Sequence, residues 1–341
     1  MSYQNLVTEN VIDLNRMQEF VIGAAKASKL RRASGLGVEQ FLASLVRSTA
    51  ESARPAISKF HVGAVGLGVS GRIYKGVNLE FPKLPLSHSV HAEQFLVANA
   101  LQHGETRLVF IAVSTAPCGH CRQFLQELRD AGDIRVLVTN GKDSQAHPLS
   151  YFLPHRFGPD DVLSKEFPPL LESRSNRLIF LASTTNSEDD CDLSCGVHND
   201  DSTDVTKKRN LTREASFGSW LRGSKRSLLD LKLAAFNAAN ASYAVYSRCP
   251  SGVALVTRNG EVYSGSYIES AAYNPGLPAL QAAIVSFICG GGTDYEEIDT
   301  AILVETRDAI VQQASTVRLT LQTIAPQANF RHFEADAHKS E

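Results

Sequence analysis

Four residues in the first half of the chain have the types and spacing of a metal site with a proton carrier. His91 stands two residues before Glu93 in "SVHAEQF", and Cys118 and Cys121 follow in "PCGHC", the first of them 25 residues after Glu93. Two cysteines separated by two residues can grip one ion. At a helix start their sulfurs project from the same end, and the helix dipole and free N–H groups there favour the thiolate, the form that binds metal. His91 opens another helix, so three ligands can converge from two helix ends. Two thiolates and an imidazole suit zinc, and three protein ligands leave one tetrahedral position for water. Glu93 then lies close enough to exchange a proton with that water without binding the metal. The plainer reading is a structural zinc with Glu93 as a solvated first-turn acid. A structural site takes four protein ligands, and His120, the one nearby fourth candidate, would be strained between the two cysteines.

These residues need elements to hold them. "VEQFLASLVRSTAESA" places Phe41, Leu42, Leu45 and Val46 at helical spacing. Two β-rich runs, "FHVGAVGLGVS" and "RIYKGVNLEF", flank Gly71 and read as a hairpin. "VHAEQFLVANALQHG" predicts a helix ending at Gly104, and "LVFIAVST" a short buried strand. "PCGHCRQFLQELRDAG" predicts a helix with Pro117 in its first turn and Gly132 past its end, followed by strand "IRVLVTN". Strand, helix and strand from 108 to 140 imply a right-handed parallel crossover and an α/β domain.

Composition bounds the rest. The chain has 341 residues, 43% of them hydrophobic, which is enough for two cores at ~100–200 residues each. A net charge of -2 gives no general attraction to nucleic acid or to anionic membranes. No apolar run approaches the ~20 residues of a membrane span, and the first twenty residues lack the pattern of a secretory signal. Six cysteines in a chain this long do not make a disulfide scaffold, so a cytoplasmic protein with reduced thiols is expected.

The expected organisation is an N-terminal extension (1–37), a catalytic domain (38–171), a linker (172–226), a second domain (227–335) and a tail (336–341). The linker is acidic then basic, with too few apolar residues to offset the entropy of ordering; Leu178 to Leu181 read as a last short strand. Cys191, Cys195 and His198 lie close together in the linker, in surroundings that orient nothing. After it, 228–246 look helical. "GEVYSGSYIE", 260–269, matches "GRIYKGVNLE", 71–80, at four of ten positions, with the same order of elements around it, so the chain reads as an internal duplication. The second copy has no metal site: Pro278, Ala279, Leu280 and Gln281 stand where the first has His-Ala-Glu, and "DAIVQQ" stands opposite "PCGHC". Cys249 and Cys289 sit in apolar contexts as buried thiols. "GGGT", 290–293, ends a helix and lacks the neighbours of a phosphate loop.

The spacing H-x-E…P-C-x-x-C is the signature of zinc deaminases. With "VNLEFP", "HAEQFL", "APCGHCRQFLQE", "LPHRFGPDD" and "ESAAYNP", the chain resembles cytidine deaminases of the long, homodimeric kind found in bacteria and plants, over about residues 38–333. The resemblance implies a duplicated α/β fold, three-layered α-β-α with a mixed sheet. It implies zinc on His91, Cys118 and Cys121, with Glu93 as proton shuttle; the single complete ligand set predicts one zinc per chain. It also implies Asn78 and Glu80 on the ribose 3′-hydroxyl, Phe60 against the pyrimidine ring, and Ala92 in the substrate site. In a homodimer, Ala271, Ala272, Tyr273 and Asn274 of the degenerate half would close the partner's site. Asn78 and Glu80, two apart on a strand, would face the same side; without the resemblance they read as a solvated strand face and Phe60 as core.

The chemistry implied is hydrolysis. Glu93 takes a proton from water, hydroxide attacks C4 of the cytosine ring, and Glu93 passes the proton to N3 and later helps the amine leave. Cytidine and 2′-deoxycytidine would give uridine and 2′-deoxyuridine with ammonia, as in pyrimidine salvage. Two other functions compete: a deaminase of cytosine in polynucleotides, which needs basic and aromatic surfaces the catalytic half lacks, and a silent zinc-binding partner protein, which intact Glu93 argues against.

Overall fold

The computed structural model describes residues 19–141, 145–164, 167–179 and 227–337. Cys191, Cys195, His198 and residues 180–226 of the linker lie outside the described residues.

The hairpin forms as its turn predicts. β2 (Gly63–Gly68) and β3 (Ile73–Val77) pair antiparallel, Gly63 opposite Val77, around Gly71 at φ +77°. Before it, β1 (Val21–Ile22) pairs with β3, and α1 (Ala24–Ser34) and α2 (Val38–Ala50) follow, so residues 21–34 of the expected extension join this half. α3 (Ala92–Gln102) begins after its cap His91 and stops before Gly104 at φ +68°. β4 (Leu108–Val113), α4 (Gly119–Phe124) and β5 (Arg135–Val138) follow in the expected order, with β4 and β5 parallel. α4 is shorter than the sequence suggests. It passes into a single 3-10 turn, Leu125–Glu127, and Leu128 is already extended, with Asp130 left-handed at φ 50°. β6 (His147–Pro148) closes a six-stranded mixed sheet of order β1-β3-β2-β4-β5-β6, and α5 (Leu149–Phe152) follows.

The second half repeats the plan. β7 (Leu178–Ile179) is followed, beyond the undescribed residues, by α6 (Leu228–Asn240), β8 (Ser251–Thr257), β9 (Val262–Ser266), α7 (Ala279–Cys289), β10 (Ile298–Thr306), α8 (Ala314–Ile324) and β11 (Asn329–Ala337). The five-stranded sheet runs β7-β11-β10-β8-β9, with β10 and β11 parallel. α6 ends at Asn240, short of residue 246, because Tyr243 leaves the helix to bridge Ile268.

The duplication extends to fine detail. Arg54 bridges Leu79 and Leu79 bridges Val90; in the second half Tyr243 bridges Ile268 and Ile268 bridges Leu277. Lys59 and Arg248, matched by this register, both take positive φ. Gly76 and Gly265 mark close strand–helix approaches at matching positions: a Cβ on Gly76 would lie 2.2 Å from the Ala92 carbonyl oxygen, and one on Gly265 2.0 Å from the Ala283 nitrogen.

The layers explain why α3 is buried all round. α2 covers one face of the first sheet and α3 the other, and α3 packs on α7 of the second half. Phe95, Leu96, Ile284 and Phe287 therefore share one core between the sheets, each side chain contributing ~1.5–3 kcal/mol by burial. Smaller cores lie beneath α2 and α6 on the outer faces. Among the described residues no helix is long and apolar enough to cross a membrane. Cys249 is buried, as its context suggests, whereas Cys289 at the end of α7 is only partly so.

Candidate active site

Two helix starts meet. His91 caps α3 and Cys118 caps α4, with Cys121 one turn further along. His91 Nδ1 lies 3.4 Å from Cys118 Sγ and 3.3 Å from Cys121 Sγ, and the two sulfurs are 3.7 Å apart. A tetrahedral zinc with the usual Zn–S and Zn–N lengths spans edges of about 3.5–3.8 Å, so this donor set fits one ion with a fourth position left over. Among the described residues this is the only group of histidine, cysteine and carboxylate side chains able to hold a metal. His120 is not part of it: its ring stacks on that of His91, centroids 5.2 Å apart, and its Nε2 is buried without a partner.

Electrostatics favour a thiolate at Cys118. The Cys121 thiol and His91 beside it hold the Cys118 thiol down at about 3, while the Cys118 sulfur and burial push Cys121 up. The Cys118 hydrogen bond raises the pKa of His91. Glu93, in the first turn of α3, is 4% exposed. Burial raises its pKa, opposed by its own main-chain N–H, the Cys121 thiol and the His91 charge. A carboxylate beside the metal ligands that holds its proton more readily than usual can both take and return one.

Asn78 and Glu80 lie just past the end of β3 and on either side of the bridging residue Leu79, so they share a side as the spacing implies. Both hold the loop before β2. Asn78 Oδ1 accepts from the Val62 amide, and its Nδ2 donates to the Phe60 carbonyl, each at 2.9 Å. Glu80 Oε2 accepts the Ile57 and Ser58 amides at 2.7 Å, and Oε1 accepts the Ser58 hydroxyl. Desolvation raises its pKa, but the Ser58 and Ile57 donors outweigh it and leave the group more acidic than usual. One Asn78 N–H and further carboxylate lone pairs remain for a ligand. Glu80 is near enough to act on the charge of His91. Phe60, on the same loop, is 58% exposed rather than core. Ala92 is buried at the start of α3.

In Ala271–Asn274, Ala271 is buried, while Tyr273 is 74% exposed at φ +60°. Among the described residues no hydrogen bond joins this segment to His91, Cys118 or Cys121. It repeats the first half's loop: Glu269 accepts the Tyr246 and Ser247 amides as Glu80 accepts those of Ile57 and Ser58. Gln94 and Glu127 were not marked out by sequence reasoning. Gln94 accepts from the His91 amide and donates to the Pro275 and Gly276 carbonyls, tying α3 to the second half; its place three residues past the cap is the available signal. In the second half, Gln313 caps α8 where Cys118 caps α4, and accepts from the Ala279 amide at 3.0 Å. Hydrogen bonds join there what a metal can join in the first half.

A family model described as the cytidine and deoxycytidylate deaminase zinc-binding region matches residues 38–137, and a second of the same description matches 149–318. Cytidine deaminase 1 of Arabidopsis thaliana is 48% identical over 325 residues, 92% of this chain and 97% of its own. A cytidine deaminase of Klebsiella pneumoniae is 35% identical over 304 residues, 89% of this chain and 86% of its own. A solved mutant cytidine deaminase of Mycobacterium tuberculosis is 26% identical, covering 37% of this chain and 100% of its own with a TM-score of 0.34. With a zinc-type donor set and a buried carboxylate at the matched residues, the chain belongs to the cytidine and deoxycytidylate deaminase family and is an enzyme of that hydrolytic class.

Proposed function

We propose that this enzyme deaminates the free nucleosides cytidine and 2′-deoxycytidine by hydrolysis, using one zinc per chain on His91, Cys118 and Cys121. The observation that carries the reading is the three-donor cluster with buried Glu93 beside it. Zinc bound there supplies a Lewis acid that lets water give up a proton near neutral pH. Glu93 takes that proton, delivers it to N3 as C4 is attacked, and assists the departing amine. Phe60 packs on the pyrimidine ring, Asn78 and Glu80 hold the 3′-hydroxyl with the donor and lone pairs left to them, and Ala92 lines the site. A cytoplasmic role in pyrimidine salvage fits the free thiols of the four described cysteines.

The active unit in this reading is a homodimer, with Ala271, Ala272, Tyr273 and Asn274 of each chain closing the other's site. The exposure of Tyr273 and Phe60 supports it, since both rings face solvent in a single chain. Shutting out water would strengthen the electrostatics around Glu93.

Glu80 makes the substrate class testable. A phosphate at the 3′ position would meet its carboxylate, a like-charge contact costing several kcal/mol. Steady-state assays should show turnover of both nucleosides and none of cytidine 3′-phosphate or single-stranded DNA. Efficient deamination of single-stranded DNA would replace this reading with a polynucleotide deaminase.

A further inference from the structure

The 3-10 turn that follows the helix of the zinc-type cysteines ends on a carboxylate with no exposure to solvent, Glu127. Three hydrogen bonds to this side chain come from the degenerate half. Oε2 accepts the Tyr243 hydroxyl at 2.9 Å and the Tyr246 hydroxyl at 2.6 Å, and Oε1 accepts the Ala271 amide at 2.7 Å. On its own side, the Glu127 carbonyl accepts the Leu170 amide at 2.9 Å. The nearby Arg174 lies over the Tyr243 ring, 4.1 Å from its centroid, and donates to the Pro168 carbonyl.

A buried carboxylate is a poor choice for mere packing, since taking a charge out of water is repaid only by well-placed donors. Here the donors define a direction. Ala271 opens the Ala271–Asn274 segment. Tyr246 flanks it, with its ring 6.5 Å from that of Tyr273 and its amide held by Glu269. One side chain thus anchors both the start of the loop and the aromatic beside it to the helix of Cys118 and Cys121. The duplication does not repeat the arrangement. Counting from the helix caps Cys118 and Gln313, the position matching Glu127 is Gln322 in α8, which is exposed.

We propose that Glu127 is a positioning residue for deamination, which sets the path of the Ala271–Asn274 loop and so the closure of an active site. The inference rests on the proposal that this loop acts on the partner chain. Glu127 then joins the zinc-ligand helix of one site to the closure of the other.

Glu127→Gln keeps the shape and removes the charge that the three donors share. Tyr246→Phe removes one donor and leaves the carboxylate, so it keeps the test open should the first variant fold poorly. Zinc content, thermal midpoint, kcat and KM for cytidine are measured for both. The expected result for Glu127→Gln is wild-type zinc content and a KM raised about tenfold with a smaller change in kcat, the pattern of lost binding rather than lost chemistry. Tyr246→Phe should move KM in the same direction by less. A lowered thermal midpoint with KM unchanged in both variants would overturn the proposal, and so would a loss of activity that follows loss of zinc.

A mixed dimer then separates this proposal from the one beneath it. One chain carries Glu127→Gln and the other Glu93→Gln. Acting in trans, the altered loop faces the site already lacking Glu93, so the remaining site shows the wild-type KM and half the wild-type kcat. A raised KM in the mixed dimer would overturn action across the interface and leave Glu127 positioning the loop over its own site.

Discussion

Glu93 and Glu127 are both buried carboxylates, yet only Glu93 stands out in the sequence. Glu93 sits two residues from His91, and the roles proposed for it and for His91, Cys118 and Cys121 follow from residue types and spacing. Glu127 has partners 116, 119 and 144 residues away, and no local pattern announces them. Asn78 and Glu80 fall between these cases. Their spacing gave the shared side, but not that each is already engaged in holding the loop that bears Phe60. Glu127 also makes a prediction about pH. Burial raises its pKa against the hydrogen bonds from Tyr246, Ala271 and Tyr243. A carboxylate with a raised folded pKa keeps its proton longer in the folded chain, so its contribution is fully present below the unfolded value and is lost as pH rises through the folded one. Glu127→Gln cannot titrate there. Its stability relative to wild type should therefore rise as pH is raised from the ordinary carboxylate value into the raised range, as followed by urea midpoints. A difference independent of pH would contradict the assignment.

The elements that present these residues were mostly predictable, because hydrophobic period and glycine turns mark them. The hairpin, α3 and the crossover from β4 to β5 all lie where the pattern puts them. The misread ends have local causes. "ELRDAG" is compatible with a helix, but Leu128 turns extended and buries against the core instead. α6 stops before residue 246 because Tyr243 is needed as a bridge and as a donor to Glu127. Residues 21–22 gave no strand signal, being two residues ordered by pairing with β3 and by packing of Ile22 into the core beneath α2. Gly76 tests how closely α3 must approach the sheet. A methyl group there meets backbone, the Ala92 carbonyl at 2.2 Å and the Leu96 nitrogen at 2.5 Å, and backbone cannot rotate away. Gly76→Ala should cost about 1–3 kcal/mol in urea unfolding and lower zinc affinity, because the start of α3 carries His91. A variant with wild-type stability would show that helix and sheet can part without harm.

The whole molecule joins a chemically equipped half to one that keeps only the frame. Pro278, Leu280 and Gln313 stand at the places of His91, Glu93 and Cys118, and the Gln313 side chain spans the gap to Ala279. The shared core between α3 and α7 makes the second half part of the wall behind the site. The duplication was visible in the sequence as a ten-residue match. The central core was not, since it depends on which helix faces are turned toward each other. One site per chain is the proposal that follows, and metal titration examines it together with the chemistry. Zinc is added to metal-free wild type and to metal-free Glu93→Gln while cytidine turnover and bound metal are followed. Wild-type turnover should rise with zinc and level off at one ion per chain, the capacity of the single donor group among the described residues. Glu93→Gln should bind the same zinc and fall by at least ~10²–10⁴ in kcat, the size of a lost acid–base group. Full turnover without metal, or a zinc-loaded Glu93→Gln within tenfold of wild type, would contradict the account.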